Sequence, residues 1–440
     1  MSDHNSILLL LILLSIGCNT KDHNAPHARP NIILIMADDL GYGGLSCYGN
    51  TVLQTPHIDS LSAHGLRFTD FHSNGSVCSP TRAALLTGKY QQRVGMEGVI
   101  YVRGPTRQVG LNPDETTIAD VLKNTGYATG IMGKWHLGYD TAFNPLNFGF
   151  DEFRGYLSGN IDFHSHYDNA GIYDWWHNRD TVVEPGYVTD LITKHSIEFI
   201  SKHRSEPFFL YIPHEAPHVP FQGRTDTAYR YPNREFTYHG PVVDKDRAYI
   251  DMVEAMDDGV GAIMQHLRRL QLEEHTLVIF ISDNGAEPFG HNGPLNGAKI
   301  SLFEGGHRVP AIAYWKGQID PQVTDATAMT MDWMPTFLRL AQVPDMTDLM
   351  LDGTDLKEIL LRQSSLPSRH LYWRYRKQKV CRKDQFKLLI TDQDTLLFDL
   401  QSDLAEQNNA AVDHPEKVRD LSLALNEWEQ SFSKIEQKTR

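Results

Sequence analysis

NIILIMADD, residues 31–39, is an unbroken apolar run that ends on two adjacent carboxylates, Asp38 and Asp39. TLVIFISDN, residues 276–284, repeats the pattern and ends on Asp283 and Asn284. Continuous Ile, Leu, Val and Phe without polar alternation marks a strand covered on both faces, the condition of strands in a parallel sheet. ATGIMG at 128–133 and PFFLYIP at 207–213 read the same way. Between these runs the apolar spacing is helical: in TIADVLKNTGY, closing at Gly126, in VTDLITKHSIEFISKH at 188–203, and in a longer stretch from about 244 to 275. Strands alternating with helices predict an α/β fold, a mostly parallel central sheet flanked by helices. In such sheets sites form at the carboxyl ends of strands, where both acidic pairs lie.

Beyond residue 345 the texture changes. HLYWRYR (370–376), FKLLITD (386–392) and TLLFDL (395–400) are short runs between charged turns, the pattern of an antiparallel sheet. An amphipathic helix over 415–435 follows. The expected organisation is a main domain over 30–344 and a smaller C-terminal subdomain of antiparallel sheet plus helix over 345–440. At the other end, ILLLLILLSI (7–16) is too short to span a bilayer and reads as the core of an export signal over 1–17. Gly17-Cys18 resembles a bacterial lipobox, which makes Cys18 a candidate for lipidation and membrane attachment at the cell envelope. Residues 18–29 are polar, contain Pro26 and suit a tether. MSDHNS, ahead of the apolar core, has no Lys or Arg, so a plain secretory signal with an incidental cysteine stands beside the lipoprotein reading.

The 440 residues carry a formal net charge of -14. That argues against a nucleic-acid partner, which needs clustered positive charge. It leaves room for an anionic substrate, because a few cations and a metal ion reverse the field locally in a cleft. The cysteines, Cys18, Cys47, Cys78 and Cys381, form no C-x-x-C pair and no zinc spacing. Cys47 and Cys381 remain a candidate disulfide.

Adjacent carboxylates at a strand end repel each other unless something cationic sits beside them. If the two acid-tipped strands are neighbours, Asp38, Asp39, Asp283 and Asn284 converge. An all-oxygen donor set suits a hard cation such as Ca²⁺ or Mg²⁺ rather than zinc. Either pair alone is also what an ordinary strand edge looks like; it is the repetition that points to a metal. The second feature is SNGSVCSPTRAALLTG, 73–88. Pro80 fits the first turn of a helix and Ala83-Ala84-Leu85-Leu86 continues it. Cys78 then lies at a helix N-terminus, where free N–H groups favour a thiolate, and Arg82 reaches back to the same end. A buried structural cysteine at a helix start is the plainer alternative.

Cys78-Ser79-Pro80-Thr81-Arg82, followed by Thr87-Gly88, resembles the Cys-x-Pro-x-Arg signature of the type I sulfatases, on an alkaline phosphatase-like fold. The resemblance runs from Arg29 onward and makes 30–344 the catalytic domain. It implies that Cys78 is converted to formylglycine by a formylglycine-generating or other sulfatase-maturing enzyme, and that Asp38, Asp39, Asp283 and Asn284 bind Ca²⁺ together with residue 78. Gly133-Lys134-Trp135-His136 resembles the family block in which Lys134 contacts sulfate and His136 hydrogen-bonds the formylglycine. Pro217-His218-Val219-Pro220 assigns the next catalytic histidine to His218, with His214 as rival. Gly297-Ala298-Lys299 assigns the last catalytic lysine to Lys299. Arg82 is expected to hold the formylglycine and the acidic residues in place. The implied activity is hydrolysis of a sulfate monoester: a hydroxyl of the hydrated formylglycine attacks sulfur, and His218 or Lys299 protonates the leaving oxygen.

The implied substrate is a sulfated carbohydrate of galactose or N-acetylgalactosamine type, attacked from its end. NIDFHSHYDNAGIYDWWHNRD (160–180) offers rings and polar tips for a sugar, with His164 and His166 as candidate contacts. Trp373 and Arg374 are candidates at the pocket rim. A phosphate or phosphonate ester hydrolase on the same fold and a non-catalytic glycan-binding lipoprotein are the competing readings.

Overall fold

The computed structural model describes residues 29–234, 236, 240 and 244–436. The export signal and Cys18 lie outside the described residues. In chain order the elements are β1 (Asn31–Ala37), α1 (Pro56–Ala63), β2 (Leu66–Phe68), β3 (Phe71–His72), α2 (Cys78–Thr87), α3 (Ile118–Asn124), β4 (Ala128–Lys134), β5 (Glu152–Tyr156), β6 (Trp176–His177), β7 (Asp180–Thr181), α4 (Val188–Lys202) and β8 (Phe208–Pro213). There follow α5 (Lys245–Arg269), β9 (Thr276–Ser282), α6 (Glu304–His307), β10 (Ala311–Tyr314), β11 (Gln322–Thr324), β12 (Ala328–Met329), α7 (Trp333–Leu340) and α8 (Lys357–Arg362). The C-terminal part holds β13 (His370–Tyr375), β14 (Gln378–Lys383), β15 (Phe386–Ile390), β16 (Thr395–Asp399) and α9 (Pro415–Glu436).

Ten strands form the main sheet, in the order β11-β2-β10-β9-β1-β8-β4-β5-β6-β7. Its centre, β9-β1-β8-β4-β5, is parallel throughout. The apolar run of β1 explains why. Ile32, Leu34 and Met36 enter one apolar cluster and Ile33, Ile35 and Ala37 enter the other, so both faces are covered. Each fully buried side chain of this size stabilises the fold by about 1.5–3 kcal/mol. Register then does the positioning: Ala37 pairs with Ser282, so the two acidic pairs leave the sheet side by side.

The C-terminal strands form a separate four-stranded antiparallel sheet in sequence order. With α9 it packs on Val77, Tyr90, Leu302, Met329 and Met331 of the main body. The small sheet therefore seats on the segments that flank Cys78 and Lys299.

Two helix ends need correcting, and the candidate disulfide is decided. The long helix stops at Arg269, because Gln271 takes a left-handed φ of 59° and a short 3-10 turn, Glu273–His275, leads into β9. The helix α3 stops at Asn124, where the Thr125 N–H bonds back to Val121 and Leu122, ahead of the left-handed Gly126. Cys47 and Cys381 are both free thiols. Cys381 is buried within β14, while Cys47 lies beside Asp59 in the loop after β1. Among the described residues no helix is long and apolar enough to cross a membrane.

Candidate active site

Val77, extended at φ -150°, delivers the chain into α2, so that Cys78 is its first residue. Pro80 falls where no N–H is needed, and the Thr81 hydroxyl, 3.0 Å from the Gly75 N–H it accepts, ties down the loop before the helix. Every residue of α2 is buried. Burial pushes the Cys78 thiol up to about 11, against the opposing pull of Lys134 and Lys299. Desolvation, with Asp38 and Asp283, works against the thiolate that the helix N-terminus favours.

Asp38, Asp39, Asp283 and Asn284 meet at the ends of β1 and β9, all at most 3% exposed. The Asp39 N–H donates to Asp283 Oδ1 at 3.1 Å, and Asn284 Nδ2 donates to Asp39 Oδ1 at 2.7 Å. Burial raises Asp38 well above the usual carboxylate range, as does its neighbour Asp283, despite Lys134 and Arg82. For Asp39 burial also acts upward, yet Lys299 and His218 outweigh it and hold the group at about 2.

Gly285 locks this corner to α6. Its N–H donates to the Gly306 carbonyl at 3.0 Å, and a Cβ there would lie 1.8 Å from the Gly305 carbonyl oxygen. Only glycine allows the two backbones to approach this closely.

The cations close around the carboxylates. Arg82 binds Asp283 and also donates to the Lys134 carbonyl at 3.3 Å. Lys134, fully buried at the end of β4, pairs with Asp38. Lys299 Nζ lies 2.6 Å from Asp39 Oδ2 and 3.0 Å from Glu287 Oε1. His218 donates from Nδ1 to the Val219 carbonyl at 2.6 Å, which turns Nε2 towards Asp39 Oδ2, 3.6 Å away. His136 donates from Nε2 to the Ile100 carbonyl at 2.8 Å, and its Nδ1 is buried without a hydrogen-bond partner. Burial, then Lys134 for His136 and Lys299 for His218, lowers both rings well below the ordinary histidine range. Both rings are thereby biased towards the neutral form.

Cys78, His136, His218 and Lys299 line one cavity of about 590 Å³. The size is that of a small-molecule site. His214 does not line it; its ring is buried just past β8. Nor do His164 and His166, whose Nε2 atoms bond the carbonyls of Gly223 and Gly186 while their rings pack on Tyr187 and Trp175. Trp373 is buried with its indole N–H on the Ser73 carbonyl at 2.8 Å, and Arg374 is paired with Glu97 and Glu429. The segment 160–180 contributes Asn160 and Asn169 instead, and β13 contributes Tyr375. Sequence reasoning missed Tyr101, Arg103, Glu287 and Ile300, also in the wall. For Glu287 and Ile300 the available signal was their position beside Asn284 and Lys299.

The donor set fits a divalent cation. Asp38 Oδ1 and Asn284 Oδ1 are buried oxygens without a hydrogen-bond partner. Single ligand atoms of Asp38, Cys78 and Asp283 lie within 4.8 Å of one another. Unpaired buried oxygens are costly and are the natural complement of a hard metal ion.

The sulfatase family model matches residues 30–343. The chain belongs to the sulfatase family. It is thus a sulfuric ester hydrolase, and the family implies a formylglycine and a divalent metal. This sulfatase is 37% identical to human arylsulfatase A over 372 residues, covering 78% of this chain and 70% of the relative. It is 35% identical to pig N-acetylgalactosamine-6-sulfatase over 393 residues, covering 83% and 72%. The solved structure of Ps i-CgsB in complex with k-i-k-neocarrahexaose superposes with a TM-score of 0.83 at 31% identity, over 91% of this chain and 93% of that one. Its architecture is that of the sulfatase's parallel sheet and small C-terminal sheet.

Proposed function

We propose that this sulfatase removes sulfate from a carbohydrate of galactose or N-acetylgalactosamine type, acting at a chain end, with Cys78 matured to formylglycine and with Ca²⁺ as its metal. The observation that carries the reading is the meeting of Cys78 with Asp38 and Asp283 at the foot of a cavity walled by Lys299, His136 and His218. The relative named N-acetylgalactosamine-6-sulfatase and the solved structure holding k-i-k-neocarrahexaose support the sugar class.

The roles follow from the chain's own groups. When formed and bound, the hydrated formylglycine supplies a hydroxyl nucleophile, and the cation, held by Asp38, Asp39, Asp283 and Asn284, supplies positive charge at the sulfate. Lys134 and Lys299 offset negative charge on the nonbridging oxygens, in a buried setting where such offsets are large. Neutral His136, its Nδ1 unpartnered, accepts a proton at residue 78. Lys299 is assigned the proton that the departing alkoxide needs, and His218, its Nδ1 proton held by the Val219 carbonyl, shares Asp39 Oδ2 with it. Arg82 orients the acidic residues through its fork.

We further assign residues 30–344 to the catalytic domain and 345–440 to the C-terminal subdomain. Export with lipid attachment at Cys18 in the periplasm or cell envelope, and Cys78 oxidation by a maturing enzyme, complete the proposal. The mass of the peptide containing Cys78, compared with the unmodified sequence, tests maturation: formylglycine is lighter through loss of the thiol. Parallel assays on 4-nitrophenyl sulfate and 4-nitrophenyl phosphate test the reaction. A faster rate on the phosphate, or full activity in Cys78→Ala, overturns the reading. Sulfate release across monosulfated galactose and N-acetylgalactosamine isomers tests the sugar class.

A further inference from the structure

Thirteen non-glycine residues among those described adopt positive φ, and Ile300 is the one with a β-branched side chain. Its φ of 81° is also the largest of that set. In the left-handed region a branched Cβ crowds the backbone, so such a residue persists only where its surroundings hold it there. The hold is visible. The Ile300 N–H donates to the Ser76 carbonyl at 2.8 Å, Lys299 N–H to Ala286 at 3.0 Å, and Ser301 N–H to Ala298 at 3.0 Å. The loop is thereby tied to the segment before Cys78 and to the segment after Asn284.

A glycine would satisfy the same hydrogen bonds without strain. The side chain must therefore be explained by what it touches. Ile300 is 41% exposed and lines the cavity whose floor holds Cys78. Tyr101, 56% exposed, lines the same cavity. Cys78, His136 and His218 are buried at the floor while these two apolar side chains meet solvent, so they mark the mouth. With about 590 Å³ the cavity has room for more than one pyranose.

We propose that Ile300, together with Tyr101, forms an apolar mouth that packs against the C–H face of the sugar next to the sulfated one, and so selects oligosaccharides over free monosaccharides. The inference rests on the carbohydrate reading above and adds a specificity residue to it. The sulfated ring reaches the floor, and the adjoining ring lies between solvent and the two apolar side chains. Apolar ring faces on aliphatic and aromatic side chains lose water-exposed area on binding, which is the source of the selectivity.

The test compares the parent, Ile300→Gly and Ile300→Leu on 4-nitrophenyl sulfate and on matched monosulfated mono- and disaccharides. Ile300→Gly is expected to keep or raise the melting temperature, because strain is released. Its KM for the disaccharide is expected to rise about tenfold more than its KM for the monosaccharide, with kcat changed less than threefold. Ile300→Leu restores most of the disaccharide KM. Equal penalties on both saccharides, or a Leu variant no better than Gly, overturn the inference alone. Failure of the parent to release sulfate from any saccharide, while 4-nitrophenyl sulfate is cleaved, overturns the carbohydrate reading and the inference with it.

Discussion

Arg82 grips a single oxygen of Asp283 with two donors, Nη2 at 2.8 Å and Nε at 3.2 Å. Both side chains are essentially without solvent contact. Removing one partner of such a pair leaves an uncompensated buried charge, at a cost of about 3–5 kcal/mol. Arg82→Ala is expected to lose that much in urea unfolding. Arg82→Lys is expected to lose part of it, because an ammonium cannot reproduce the fork. Both are expected to lose activity on 4-nitrophenyl sulfate. A Lys variant with parental stability and rate would show that the fork is unimportant.

Metal removal provides a second expectation. With Asp38 Oδ1 and Asn284 Oδ1 unpartnered, chelator-treated protein should melt lower and recover on adding Ca²⁺. A ligand that binds only the folded state at 100 times its Kd contributes about 2.7 kcal/mol. Asp283→Asn is expected to lose most of the Ca²⁺-dependent rise. Titrating Mg²⁺ and Ca²⁺ in parallel, with melting temperature as readout, tests the assignment to Ca²⁺.

His214 gives a pH expectation. Neither of its ring nitrogens meets a hydrogen-bond partner among the described residues. Burial alone lowers its pKa from 6.5 to about 4. The folded chain therefore holds this proton less tightly than the unfolded chain. Stability supplied by the neutral ring is complete above 6.5 and is lost as pH falls towards 4. The loss is about 3 kcal/mol over that window. His214→Asn should flatten this part of the curve of unfolding free energy against pH. A slope identical to the parent's would refute the assignment.

Lys387 carries the fourth. Its Nζ lies 2.9 Å from Glu304 Oε1 and 2.8 Å from Glu406 Oε1, with all three side chains fully buried. It comes from the small sheet, and Glu304 is the first residue of α6. Lys387→Met is expected to destabilise by about 3–5 kcal/mol at neutral pH. Denaturant unfolding at neutral and mildly acidic pH checks this, since protonating the abandoned carboxylates should shrink the difference.

The central strands were legible because a strand covered on both faces has no polar residue to spare, and β1, β8 and β9 are written that way. β14, QKVCRK, was not, because Arg382 enters the main body as the partner of the buried Asp70, and a charged sequence hides a buried role. The convergence of the acidic residues was legible as two acid-tipped strands whose adjacency follows from parallel pairing. The cavity wall was legible only in part. In β13 the alternation puts Trp373 and Tyr375 on one face, but only tertiary packing decides that Trp373 meets the Ser73 carbonyl while Tyr375 reaches the cavity. The histidines of 160–180 carry the right chemistry, yet backbone carbonyls claim His164 and His166.

Gly285 has a consequence for inheritance of damage. Because the obstacle to a methyl group there is main chain rather than a rotatable side chain, no neighbouring rotamer can move aside to accommodate it. A single added carbon would spread the strand-end acids and the lysine-bearing loop apart in one stroke. Such a lesion would resist second-site rescue, because what has to yield is two closely opposed stretches of main chain.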